Sequence, residues 1–181
     1  MLPLLPLPPI ECFNTGGVRA LRVWPASNVR IPLYTGSTLP TAITLRDPRN
    51  YADIWFPPDS ASFVEPEDTD AQGDVYKASL TLEVPKDAPD LQEAIARLRA
   101  VRYVVAAYED GNGLTKLVGT PDHPLRFSAG LETGKRATDR NGYPLVFAGQ
   151  TPTPAPFYLT QSLGPAPGRR AFSAGFSFGF H

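Results

Sequence analysis

The sequence holds almost none of the residues from which reactive sites are usually built. Cysteine occurs once, as Cys12, and histidine twice, as His123 and His181, in a chain of 181 residues. One thiol can form neither an intrachain disulfide nor a thiolate cluster, and two widely separated histidines give no His-x-x-x-His or Cys/His metal spacing. An excess of one charge is missing too. Lys and Arg number 17 against 18 Asp and Glu, for a formal net charge of −1, so there is no large basic face to make nucleic-acid binding salt-driven. No apolar run approaches the roughly 20 residues of a membrane-spanning helix. Walker-type glycine patterns are absent, and Gly111-Asn112-Gly113 reads as a hairpin turn rather than the strand-to-helix junction a phosphate loop needs. Asp122-His123, beside Pro121 and Pro124, reads as a turn. The acidic run Glu65–Asp70 has no calcium-loop spacing and reads as a solvated loop. The expectation is a protein with no catalytic residue, no cofactor and no metal.

What is abundant is proline, at 21 residues, alongside 15 glycines and 42% apolar residues. That composition suits a folded core with long irregular segments, and a chain of this length can bury enough surface to need no disulfide. The opening MLPLLPLPPI has no early Lys or Arg. Its four prolines would break the helical segment of a secretory signal, which leads to the expectation of a soluble, cytosol-made chain. Prolines so spaced favour an extended arm over residues 1–16, whose Leu4, Leu5, Leu7 and Ile10 gain most by lying on another surface.

The core domain is expected over residues 17–150. Val18–Trp24 alternates imperfectly and suits a short strand stopped by Pro25. Val29–Tyr34, Thr41–Leu45 and Ala52–Phe56 read as short extended pieces cut by prolines, and so as edges or loops. Val75–Val84 holds a period of two for its whole length, with Tyr76, Ala78, Leu80, Leu82 and Val84 on the dry face. Residues 89–101 form the one expected helix, with Pro89 at its start, Asp90 and Glu93 at capping-box spacing, and Leu91, Ala94, Ile95, Leu98 and Val101 on one face. Tyr103–Tyr108, the turn Glu109–Gly113 and Leu114–Val118 read as a buried hairpin, and further strands follow at Leu125–Leu131 and Tyr143–Phe147. The fold class is therefore mainly β (α+β): an antiparallel β sandwich or sheet with one flanking helix and proline-rich arms at both ends.

Two polar or aromatic segments complete the set of candidate interface residues. Glu132–Gly142 is a glycine-bounded loop carrying Lys135, Arg136 and Arg140. From Gln150 the composition shifts, and residues 151–181 read as a second arm, with a Phe157-Tyr158-Leu159 anchor and a terminal strand whose Phe172, Phe176, Phe178 and Phe180 share one face. A greasy strand of this kind gains by pairing with a sheet edge, its own or a neighbour's.

The residues Tyr108-Glu-Asp-Gly-Asn-Gly, Lys116-Leu-Val-Gly-Thr-Pro-Asp-His-Pro-Leu-Arg-Phe and Asp139-Arg-Asn-Gly-Tyr-Pro-Leu-Val-Phe-Ala-Gly resemble small structural proteins of tailed-phage and prophage gene clusters. The likeness covers about residues 60–150 and carries no catalytic residue. It implies a virion protein of the tail or neck, forming rings or tubes with copies of itself and other tail or neck proteins. If the 132–142 loop lines a channel, its three cations would meet DNA phosphate as a secondary contact. No motif singles out a tube, terminator, adaptor or baseplate component.

Two other classes compete. A monomeric carbohydrate- or ligand-binding β domain is suggested by Trp24, Tyr34, Tyr51 and Trp55 in proline-rich surroundings, although core packing explains such aromatics as well. An outer-membrane barrel is suggested by the aromatic C-terminal strand, but there are too few alternating segments to build one.

Overall fold

A computed structural model describes residues 14–34, 36–70, 73–136, 141–159 and 163. Leu4, Leu5, Leu7, Ile10, Arg140, Phe172, Phe176, Phe178 and Phe180 lie outside these described residues.

Among the described residues the protein is mainly antiparallel β sheet with a single α-helix. Its strands are β1 (Val18–Pro25), β2 (Val29–Arg30), β3 (Thr44–Leu45), β4 (Ala52–Ile54), β5 (Ala61–Val64), β6 (Glu67–Asp70), β7 (Gly73–Pro85), β8 (Tyr103–Asp110), β9 (Thr115–Val118), β10 (Leu125–Ala129) and β11 (Gly142–Thr151). The helix α1 spans Pro89–Val101, between β7 and β8. The main sheet runs β4-β1-β8-β10-β11-β7-β5, with β9 added beside β8 and β6 beside β7, while β2 and β3 pair as a separate ribbon. All of these ladders are antiparallel. The sheet folds over into two layers, because Phe63 of β5 meets Tyr108 of β8 across the interior, ring centroids 4.7 Å apart.

Alternation in the sequence becomes the inner core directly. Ala78, Leu80, Leu82 and Val84 of β7 are buried, as are Tyr143, Leu145 and Phe147 of β11, and both sets join one cluster with Ile54, Val104, Tyr108 and Phe127. The imperfect alternation of β1 has a structural cause. A register shift between Val18 and Ala20 turns the strand over, so that Val18, Leu21 and Val23 all enter the inner core while Ala20 and Trp24 face a second one. A bulge moves side chains between faces in this way.

β8 is buried on both faces, which explains its unbroken apolar run. Val104, Ala106 and Tyr108 point to the inner core; Val105 and Ala107 join an outer core with Trp24, Leu39, Leu117, Tyr158 and Leu163.

Two local expectations need correction. The acidic run is not a loop throughout, since Glu67–Asp70 pairs with Gly73–Tyr76 as a hairpin. The Glu67 and Asp68 carboxylates stay on the surface, where Lys77 bonds Asp68 and the Tyr76 hydroxyl bonds Glu67. With both faces wet, such a strand shows no apolar period. The capping box does not form either. Ala88 is the N-cap without a side-chain bond, Pro89 begins the helix and Asp90 lies in its first turn. Asp87 is instead engaged by the Tyr143 hydroxyl at 2.7 Å and the Gln92 amide at 2.9 Å, and the tyrosine bond, then the glutamine bond, hold its carboxyl below the usual carboxylate range.

The helix docks less completely than its apolar stripe suggests. Ile95 is buried, Leu91 and Leu98 are half-buried, and Val101 is exposed. Ile95→Ala should therefore cost about 2–5 kcal/mol in a denaturant titration. Leu98→Ala should cost clearly less than Ile95→Ala in the same titration, because its transfer from water is only partial.

Candidate functional site

Two features stand out: the way residues 14–17 and 156–158 are fastened to one hairpin, and a cleft beside the helix.

The β8–β9 hairpin turn is built by Asp110, whose carboxylate accepts the backbone N–H groups of Asn112 at 2.9 Å and Leu114 at 2.8 Å. Asn112 then reaches across the chain. Its side-chain oxygen accepts the Thr15 N–H at 2.8 Å, its amide donates to the Asn14 side chain at 3.0 Å, and the Gly111 N–H donates to the Gly17 carbonyl at 3.1 Å. The segment leading out of the N-terminal arm is thereby tied to this turn. The C-terminal segment is tied one strand further on. The Leu117 N–H donates to the Pro156 carbonyl at 3.0 Å and the Tyr158 N–H to the Thr115 carbonyl at 2.8 Å. Phe157 forms bridges to Lys116 and Thr38, with the Lys116 ammonium 4.9 Å from its ring centroid.

Tyr158 therefore departs from the expected interface role. It is 0% exposed within its own subunit, and its hydroxyl accepts the Ile43 N–H at 3.3 Å, so no neighbouring copy can reach it. Phe157 is partly covered by the same contacts. The folded core also runs past residue 150, through β11, Tyr158 and Leu163. Proline bracketing makes residues 151–181 read as an arm, yet Tyr158 and Leu163 are buried in the outer core and Ala155 packs against the inner one.

Glu65 fastens the same region from the opposite layer. Its carboxylate accepts the Ala155 N–H at 3.0 Å. Partial burial pushes its pKa up, opposed by that bond and by the charge of Lys116. A raised carboxyl pKa means that the folded state favours the protonated form. The associated stability is present below the unfolded-state pKa and is lost as pH rises through the folded value. Glu65→Gln keeps an acceptor for Ala155 but removes the titration. Its unfolding free energy should lose the wild-type decline with pH in the range just above the ordinary glutamate pKa, as read by denaturant titrations at a series of pH values.

The cleft lies between α1 and β4, with a volume of about 530 Å³. Ile54, Val104, Leu145, Leu91 and Leu98 line it, with Tyr51, Trp55 and Val101 also on its wall. Tyr51 is 45% and Trp55 37% exposed, whereas Trp24 is 2% exposed. Of the aromatics singled out in sequence, Trp24 is thus core, Tyr34 packs beside the outer core, and only Tyr51 and Trp55 remain as surface candidates. Two devices hold the Tyr51 side of the cleft. Arg22 of β1 grips Asp53 of β4 through both guanidinium branches, one at 2.9 Å, and lies 4.5 Å from the Tyr51 ring centroid. The bond to Asp53 is the largest cause that raises the Arg22 pKa. Buried Asn28 clamps the preceding loop, donating to the carbonyls of Asp47 at 2.9 Å and Asn50 at 3.0 Å and accepting the Asp47 N–H at 2.8 Å. No sequence pattern marks Asn28, because its partners lie some twenty residues away.

Lys135 and Arg136 are exposed on their loop, whose neck is closed by reciprocal backbone bonds of 2.9 Å between Glu132 and Gly142. His123 is an exposed turn residue, its N–H bonded to the Thr120 hydroxyl at 3.0 Å. Among the described residues no cluster of His, Cys, Asp or Glu is placed to hold a metal ion, and no helix is long and apolar enough to cross a membrane. Comparison with family models, with curated proteins and with solved structures finds no match.

Proposed function

We propose that this chain is a non-enzymatic structural subunit of a phage tail or neck, which assembles into rings or a tube with copies of itself and other virion proteins through its loops and terminal arms. The observation that carries the reading is the common root of the two arms. Asn14–Gly17 is bonded to the turn of the β8–β9 hairpin and residues 156–158 are bonded to β9 of the same hairpin. Two apolar segments launched from one rigid support suit contact with a neighbour, since each lowers its free energy by being covered. A head-to-tail contact of that kind closes into a ring, or stacks into a tube where the rotation does not close. Lys135 and Arg136, on an exposed loop, are suited to meet a neighbour or DNA phosphate. The measurement is the solution mass of the full chain by light scattering as concentration rises. A discrete multiple of 19.6 kDa is expected. A single-copy mass throughout, with virion partners present, would contradict the reading.

A second reading, a ligand-binding β domain, is favoured by the cleft alone, because half-exposed Tyr51 and Trp55 beside an apolar wall form a pocket of ordinary ligand size. Saturable quenching of Trp55 fluorescence by a small ligand in a single-copy protein would support it over assembly.

A further inference from the structure

We propose that in the isolated subunit the cleft between α1 and β4 is filled by the chain's own residues 172–180, added as a strand beside β4. The proposal concerns one subunit before any assembly, and stands or falls separately from the virion reading.

The cleft calls for a particular occupant. Its wall is apolar on one side, formed by Ile54, Leu98, Val104 and Leu145, and its charged neighbours are already committed, Arg97 to Glu93 and Asp53 to Arg22. An apolar segment can therefore enter without burying an unpaired charge. β4 pairs only with β1 among the described residues, which leaves its far side open to another strand. The fitting partner is a strand with apolar residues on one face and little on the other, because main-chain bonds to the edge supply affinity while alternate side chains fill the groove. Residues 172–180 have that pattern, with Phe172, Phe176, Phe178 and Phe180 on one side and Ser173, Gly175, Ser177 and Gly179 on the other. The N-terminal arm fits worse. Pro3, Pro6, Pro8 and Pro9 remove the N–H donors a ladder requires.

Reach decides between the chain's own tail and that of a second copy. Leu163 is buried in the outer core together with Trp24, and Trp24 also lines the cleft. The stretch from residue 163 to 172 can span about 30 Å when extended, so the tether is long enough. A short tether also gives its own strand an effective concentration that a separate dilute chain does not match. On assembly the same strand can pass to a neighbour's cleft, an exchange of identical contacts that costs little.

The test uses the full chain with Cys12→Ser, Ala94→Cys on the cleft wall and Ser177→Cys on the small-residue face of the tail, treated with a short bismaleimide. Cross-linking within one chain is expected, read as an internally linked product at single-chain mass. Adding Phe176→Ser and Phe178→Ser should lower its yield at least tenfold, and moving the first thiol from Ala94 to Ser128, on β10, should lower it equally. Three results would overturn the proposal: no internal product, an internal product indifferent to the phenylalanines, or a product that joins two chains. The last would assign the cleft to the tail of a second copy. The first two do not bear on whether the subunit assembles, which the mass measurement reads independently.

Discussion

Tyr158→Ala should lower the unfolding free energy by about 3–5 kcal/mol, the range for emptying a buried aromatic site. The side chain is fully enclosed and joins elements distant in sequence: Ala20 and Trp24 of β1, Leu39, Val105 and Ala107 of β8, and Leu117 of β9. Removing the ring leaves a void that these neighbours cannot fill without shifting a strand buried on both faces. Tyr158→Phe keeps the ring and gives up the bond from the Ile43 N–H, so it should cost about 0.5–1.5 kcal/mol. Paired urea titrations of the two variants check the difference. Near-equal, small losses would mean that residues 155–158 are a dispensable strap and not part of the core.

Gly111→Ala is expected to be damaging despite its small size. A Cβ built on Gly111 would overlap the backbone carbonyl oxygens of Thr15 and Gly16, and backbone cannot rotate out of the way as a side chain can. Either the Asn14–Gly17 segment leaves the turn, forfeiting the bonds to Asn112 and Gly111, or the hairpin bends. Overpacking of this kind costs about 1–3 kcal/mol. Limited proteolysis should then cut near residues 14–17 much faster than in the parent chain. Gly113→Ala is the control for crowding, because nothing lies within 4 Å of a Cβ there although its φ of +82° still strains an alanine. It should disturb the turn without freeing the Asn14–Gly17 segment. Equal proteolysis of both variants would show that the close approach at Gly111 holds nothing in place.

These two residues also mark the limits of what the sequence discloses. The long elements are legible because a single force writes each of them: β7 and β11 alternate with one dry face, β8 is apolar throughout because both faces are covered, and α1 carries its apolar residues at helical spacing. The short proline-cut strands β2, β3 and β4 fall inside the segments expected for them, because proline limits how far a ladder can run. What escapes is whatever depends on partners far along the chain. Tyr158 looks like part of an arm until Thr115 and Ser37 are seen to hold its segment. Asn28 looks like an ordinary turn residue until its three bonds to the 47–50 loop are in view. The cleft is invisible for the same reason, since its walls come from residues near 23–25, 50–55 and 91–104. Only Tyr51 and Trp55, as aromatics amid prolines, hinted at it. Apolar spacing marks the candidate interface residues at both ends of the chain, and it bears on whether they seek cover, not on which surface gives it.

If the terminal arms hold the assembly together, mass by light scattering should change on deleting residues 1–12 and 165–181, separately and together. If four phenylalanines are covered in the assembled state, each contributes about 1.5–3 kcal/mol before the ordering of the tail is subtracted. The C-terminal deletion alone should therefore shift assembly to much higher concentration. The double deletion should leave a folded chain of single-copy mass where the full chain forms a discrete oligomer. A doubly deleted chain that assembles as readily as the full one would contradict the account.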